Sequence, residues 1–188
     1  MAVEILSDVL KSILQSDFDA GRTLILEKYP FQPTQTGTRW YTEKQKMAQF
    51  VRDGFIDRYT GDKLINPGAL KLISYYYPAE FPYHAHWKTT DTHMAYMELI
   101  PTIDHIVPIS RGGEDTPKKW VTTSMKKNSI KSNWTLEELG WELFPAGNIR
   151  EWDGLTDLFL EIVETQPEVL SDNYIKKWYK ASKLTVLK

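Results

Sequence analysis

The sequence predicts an α+β protein, mainly helical, built around one small β element. Three observations carry this reading. Apolar residues recur at three- and four-residue spacing in separate segments, most plainly Val3, Leu6, Leu10, Ile13 and Leu14, and later Leu155, Leu158, Phe159, Ile162 and Val163. A β-type run at Val121, Thr122 and Thr123 returns after a loop that holds Gly112 and Gly113. No internal repeat or low-complexity tract interrupts the 188 residues, a length that suits one compact domain or a core module with helical additions.

In chain order, residues 3 to 15 form an amphipathic helix, which Asp17 to Gly21 ends. A looser segment with Tyr29, Pro30, Phe31 and Pro33 leads to Thr42, whose spacing to Gln45 suits a capping box for a helix through Val51. Gly54 and Asp57 mark its exit, and Thr60, Gly61 and Asp62 read as a turn. Pro67 opens a helix through Leu70, Leu72 and Ile73 to Tyr77, where Pro78 stops it. The aromatic, proline-rich stretch YYYPAEFPYHAHW reads as a loop. Beyond the β element, Thr135 and Glu138 form a second capping-box pattern for a short helix at TLEELGWEL, and Gly147 and Asn148 break the chain. A helix over Leu155 to Val163 ends at Gln166 and Pro167, and an amphipathic helix over Asn173 to Ser182 follows. The expected organisation is an N-terminal helical region (1–53), a central module (54–144) and a C-terminal helical extension (145–188), packed as one compact unit.

Composition narrows the classes. With no cysteine, disulfides and cysteine-ligated zinc are excluded, so something else must brace the β element. The seven tryptophans and ten tyrosines are the obvious candidates. Neither a secretory leader nor a membrane span is visible, which makes a cytoplasmic protein the simplest expectation. The net charge is −2, but it is unevenly spread. From Pro101 to Trp134 six basic residues against three acids give +3, and from Ser171 to the end five lysines against Asp172 give +4. Such segregation is what a polyanion-binding face on an acidic body looks like, although a lysine-rich helix face is equally a solvated surface.

The chemistry concentrates between Thr102 and Asn133. Hydrolysis of a phosphodiester requires a cation on its oxygens and a base for the attacking water. Asp104 offers a carboxylate oxygen and Asn128 an amide oxygen, both hard donors suited to Mg²⁺ or Mn²⁺. His105 can serve as the base if its other ring nitrogen is held by a backbone carbonyl or similar acceptor. Neighbours on a strand point to opposite faces, so Asp104 and His105 reach one phosphate only if the chain turns or twists there, for which Pro108, Gly112 and Gly113 provide.

The run DHIVPISRGG, followed by WVTTSMKKNSIKSN, resembles the HNH, or ββα-metal, nuclease motif. The resemblance covers about a sixth of the chain strictly, and about half if the lead-in from Phe55 is included. It implies a strand carrying the acid and the base, a long loop, a returning strand and a helix bearing the second ligand. By that resemblance Asp104 and Asn128 are metal ligands and His105 is the general base. Lys131 sits one turn further along the helix and faces the phosphate. Where the family usually has a middle Asn, which fixes the loop by hydrogen bonds, this chain has Lys119, which carries donors and no acceptor and is grouped with the catalytic residues for its position. Arg111, Lys126, Lys127 and Lys131 are the expected nucleic-acid contacts. The function implied is a metal-dependent endonuclease on DNA. A weakened HNH-like binding protein and a nuclease on RNA are the alternatives, and a homodimer or a docked partner protein is compatible with the flanking helices.

Outside the motif, His84, His86 and His93 lie close in sequence, but with no cysteine beside them they read first as surface or packed histidines. Tyr75 to Tyr77 and Trp87 have the chemistry to stack on bases, and the same residues are commonly core filler.

Overall fold

The computed structural model describes residues 2–31 and 40–186, which fall into two compact units, 1–37 and 38–188. The expected loop residue Pro33 lies outside the described residues.

In the first unit α1 (Ala2–Leu14) meets the expected span. The chain does not then loosen. Ser16 turns at φ +59°, and Asp17 caps a second helix, α2 (Phe18–Lys28), accepting the Ala20 amide at 3.1 Å. Gly21, expected to end a helix, lies inside α2. It is buried against Val9 and Ser12 of α1, where a Cβ would make ordinary contact, 3.5 Å from the Ser12 Cβ, so no strained conformation marks it as a helix end. The periodicity of FDAGRTLILEK is weak, and Asp17 reads equally as a stop or a start, so tertiary packing decided this element.

The second unit begins with α3 (Glu43–Arg52), whose capping box between Thr42 and Gln45 is complete in both directions. Asn66 caps α4 (Pro67–Tyr76) by accepting the Gly68 amide, while its Nδ2 donates to Thr156 Oγ1 and Ser182 Oγ. One buried amide thus ties α4 to α8 (Thr156–Thr165) and α9 (Asn173–Val186). Between them come the short α5 (Ala95–Leu99), unforeseen in the loop-like region, then β1 (Pro101–His105), β2 (Trp120–Ser124), α6 (Met125–Lys131) and α7 (Leu136–Leu139). The helix expected over TLEELGWEL stops early because Gly140 adopts φ +62° and closes it.

The core lies among α3, α4, α8 and α9, where Met47, Phe50, Leu72, Phe159, Val163 and Trp178 are buried. Gly68 makes the helix crossing close: a Cβ there would meet the Phe159 ring at 2.4 Å. A smaller cluster of Leu70, Tyr96 and Ile100 seats α5, with the Tyr96 hydroxyl bonded to Ser74 and the Leu70 carbonyl.

β1 and β2 form one antiparallel pair, with Asp104 opposite Val121 and His105 opposite Trp120. A two-stranded sheet exposes main-chain donors along its free edge. Two buried carboxylates satisfy the edge of β2. Asp53 accepts the Thr122 amide at 2.6 Å, and Asp57 accepts the Ser124 amide at 2.8 Å and the Thr123 hydroxyl at 3.0 Å. Asp57, which the sequence offered only as a helix-exit residue, therefore supplies part of the brace expected from aromatic side chains.

Candidate functional site

β1 ends on Asp104 and His105, and α6 leaves directly from β2, so hairpin and helix converge on the same few residues. His105 is buried, 5% exposed, with its ring edge-on to Trp120. Its Nε2 lies 2.9 Å from Asp115 Oδ1. That oxygen also accepts the Tyr41 hydroxyl at 2.7 Å and the Trp120 indole N–H at 2.8 Å. Burial pushes the Asp115 carboxyl up, but the hydrogen bonds from Tyr41, His105 and Trp120 outweigh it and hold its pKa below the usual carboxylate range. An ionised Asp115 has only acceptors to offer, which fixes the His105 proton on Nε2 and leaves Nδ1 as the basic nitrogen.

The sequence called for a backbone carbonyl or similar acceptor behind this imidazole; the acceptor is the Asp115 side chain. Ten residues and a loop separate the two, and no periodicity links them. Arg52 holds that loop by donating to the Pro117 and Trp120 carbonyls. Gly113 passes so close to the Val107 carbonyl that a Cβ would sit 1.9 Å from its oxygen.

Asp104 Oδ2 accepts the Tyr59 hydroxyl at 2.6 Å and lies 3.0 Å from Lys131 Nζ. Burial, with the neighbouring Asp104 charge, raises the Tyr59 pKa, so the phenol stays protonated as a donor. Lys131 corrects an expectation. Its side chain is 0% exposed and donates to the His105 carbonyl at 2.8 Å, so it does not present its charge to a phosphate. The physical reason is its place in the last turn of α6, packed on the hairpin, where a buried ammonium requires a carboxylate and a carbonyl.

Asn128 donates from Nδ2 to Thr102 Oγ1 at 3.1 Å and to the Ile103 carbonyl at 3.3 Å. Both bonds leave from nitrogen, so Oδ1 keeps the acceptor capacity of the amide. Asp104 and Asn128 thus offer hard oxygen donors from β1 and α6, a set that fits in type a Mg²⁺ completed by waters and substrate oxygens. Among the described residues no group of three or more His, Cys, Asp and Glu side chains gathers for a metal. The Lys131 ammonium already balances the Asp104 charge, which weakens the pull on a second cation.

The remaining expected residues lie on the surface. Lys119 is exposed and takes no part in the bonds that hold His105 or Asp104; its main-chain carbonyl accepts the Ile106 amide at 3.1 Å. Arg111 pairs with Glu138 at 3.4 Å, Lys126 with Glu98 at 3.0 Å, and the Lys127 ammonium lies 5.3 Å from the centre of the Trp141 ring. The three other histidines serve locally: His84 and His93 accept main-chain amides two residues on, and the His93 ring stacks on Phe81. No helix among the described residues is long and apolar enough to cross a membrane. No protein-family model, curated protein or solved structure matches this chain.

Proposed function

We propose that this protein is a divalent-metal-dependent endonuclease that hydrolyses DNA phosphodiester bonds at the β1–β2–α6 unit, used in the manner of an HNH site. The observation that supports the reading is the Asp115–His105 pair, which supplies an oriented, buried base on the residue that follows Asp104 in β1. His105 Nδ1 takes a proton from water, and the resulting hydroxide attacks phosphorus in line with the departing 3′ oxygen, leaving a 5′ phosphate on the other fragment. Asp115 stabilises the imidazolium formed in that step. Held by Asp104 and Asn128, Mg²⁺ or Mn²⁺ would supply positive charge to the phosphoryl and leaving oxygens. Lys131 acts from within by holding Asp104 and the His105 main chain in place. Arg111, Lys126 and Lys127 are the outer phosphate contacts. Exposed pairs such as Arg111–Glu138 and Lys126–Glu98 are screened by solvent and contribute little, so a phosphate exchanges for either acid at little cost.

The test is plasmid nicking with Mg²⁺ or Mn²⁺ against EDTA. His105→Ala abolishes divalent-dependent nicking and leaves DNA binding within about twofold, because the proton acceptor goes while the basic surface stays. Equal cleavage by the variant would overturn the mechanism. A second reading, a DNA-binding module without cleavage, is favoured by the Lys131 charge on Asp104. It predicts tight DNA binding by the wild type with no nicking under any metal. Cleavage of RNA alone would move the same chemistry to the other backbone.

A further inference from the structure

Behind the candidate site lies a cavity of about 330 Å³, a size suited to a small ligand. It is contained within the second unit and touches the site at two points. Tyr41 lines it, and the same residue donates its hydroxyl to Asp115. Thr102 lines it too, and its Oγ1 accepts from Asn128. The lining residues Ile100, Pro67 and Trp178 are buried, whereas Tyr41, Trp87 and Tyr174 are only partly buried. Glu43 and Lys46, also partly buried, add one charge of each sign. Trp87 is held at φ +56°, a left-handed conformation that is uncommon for a bulky side chain and costs on the order of 1 kcal/mol or more. Such strain persists where the surroundings fix it, and here it sets an indole on the cavity wall.

We propose that this cavity is a nucleobase pocket that receives a base next to the scissile phosphate; the choice of ligand rests on the nuclease reading above. Aromatic rings accept the face of any base. A carboxylate takes a base amino group, and an ammonium takes a base carbonyl or the adjoining phosphate. A purely apolar ligand would leave Glu43 and Lys46 without a role. Through Tyr41 and Thr102 the cavity wall is bonded to Asp115, which holds the base, and to Asn128, which offers a metal donor, so an occupant lies one residue away from the groups that hold the site.

The experiment titrates the 188-residue chain in EDTA, by NMR chemical shift, with deoxynucleoside 5′-monophosphates, deoxyribose 5-phosphate and inorganic phosphate. The nucleotides bind on the order of tenfold more tightly than deoxyribose 5-phosphate, and Trp87→Ala removes that difference while Trp87→Phe keeps it. Glu43→Gln, at the start of α3, shifts the preference among bases and serves as an independent variant if either Trp87 change disturbs folding. Equal binding of nucleotide and deoxyribose 5-phosphate overturns the pocket. Indole binding as tightly as the nucleotides, with phosphate indifferent, overturns it in favour of an apolar ligand. The nuclease reading fails separately: a protein that selects bases here and nicks no strand keeps the pocket and loses the enzyme.

Discussion

At the scale of single residues, the site is decided by which charge neutralises which. Asp115 Oδ1 collects three donors, and its ionised state gives His105 both an orientation and a tautomer. Asp115→Ala therefore lowers the nicking rate by about 100- to 10,000-fold, because the base loses both its orienting partner and the charge that stabilises its protonated form. Asp115→Asn removes the same charge and offers an amide donor that selects the other tautomer, so its loss is no smaller; single-turnover rates on plasmid compare the two. Lys119→Asn changes the rate by less than about twofold in the same assay, since the loop is held by Asp115, Arg52 and the Ile106–Lys119 main-chain bond rather than by the Lys119 side chain. A large gain would mean that the asparagine of the HNH pattern is needed after all.

At the scale of elements, helix ends and sheet edges carry the specificity of the fold. α9 spans the core, and its start is fixed by Asp172, which accepts the Tyr174 amide at 2.8 Å and the Ile175 amide at 3.1 Å and pairs with Lys71 at 3.0 Å. Burial raises the Asp172 carboxyl, but these bonds and the Lys71 charge outweigh it and leave its pKa lowered. A depressed carboxylate stabilises the fold above its unfolded pKa of about 3.9, and the contribution is lost as pH falls through the lower folded value. Asp172→Ala consequently costs about 1 kcal/mol at neutral pH and progressively less below about pH 4. Urea unfolding at several pH values checks this, and a penalty that persists undiminished at low pH would contradict it. The β hairpin follows the same logic, with Asp53 and Asp57 closing the edge of β2 where a longer sheet would have supplied another strand.

At the scale of the whole molecule, the second unit is a helical core with the hairpin laid against it, so the site inherits its rigidity from residues remote from any chemistry. Phe159 is one of them, buried against Gly68. Phe159→Ala lowers unfolding stability by about 3–5 kcal/mol in urea denaturation. Much of this architecture was legible in the sequence. The capping boxes at Thr42 and Thr135, the proline start at Pro67 and the helix ending at Gln166 all depend on contacts a few residues long, which local patterns encode. What local patterns do not encode is which distant groups meet. α2 was missed because Asp17 reads equally as the stop of one helix and the cap of the next, and the weak apolar periodicity after it gave no sign which. Lys131 was expected at the phosphate, and only packing of α6 on the hairpin turned it inward to Asp104. By itself, the sequence determined a mainly helical α+β chain with Asp104, His105 and Asn128 on a hairpin and the helix after it, because neighbouring residues share one backbone. The tertiary structure alone decided that Asp115 holds the imidazole and that Lys131 neutralises the acid, because a buried charge takes its partner from whichever segment folding brings within reach.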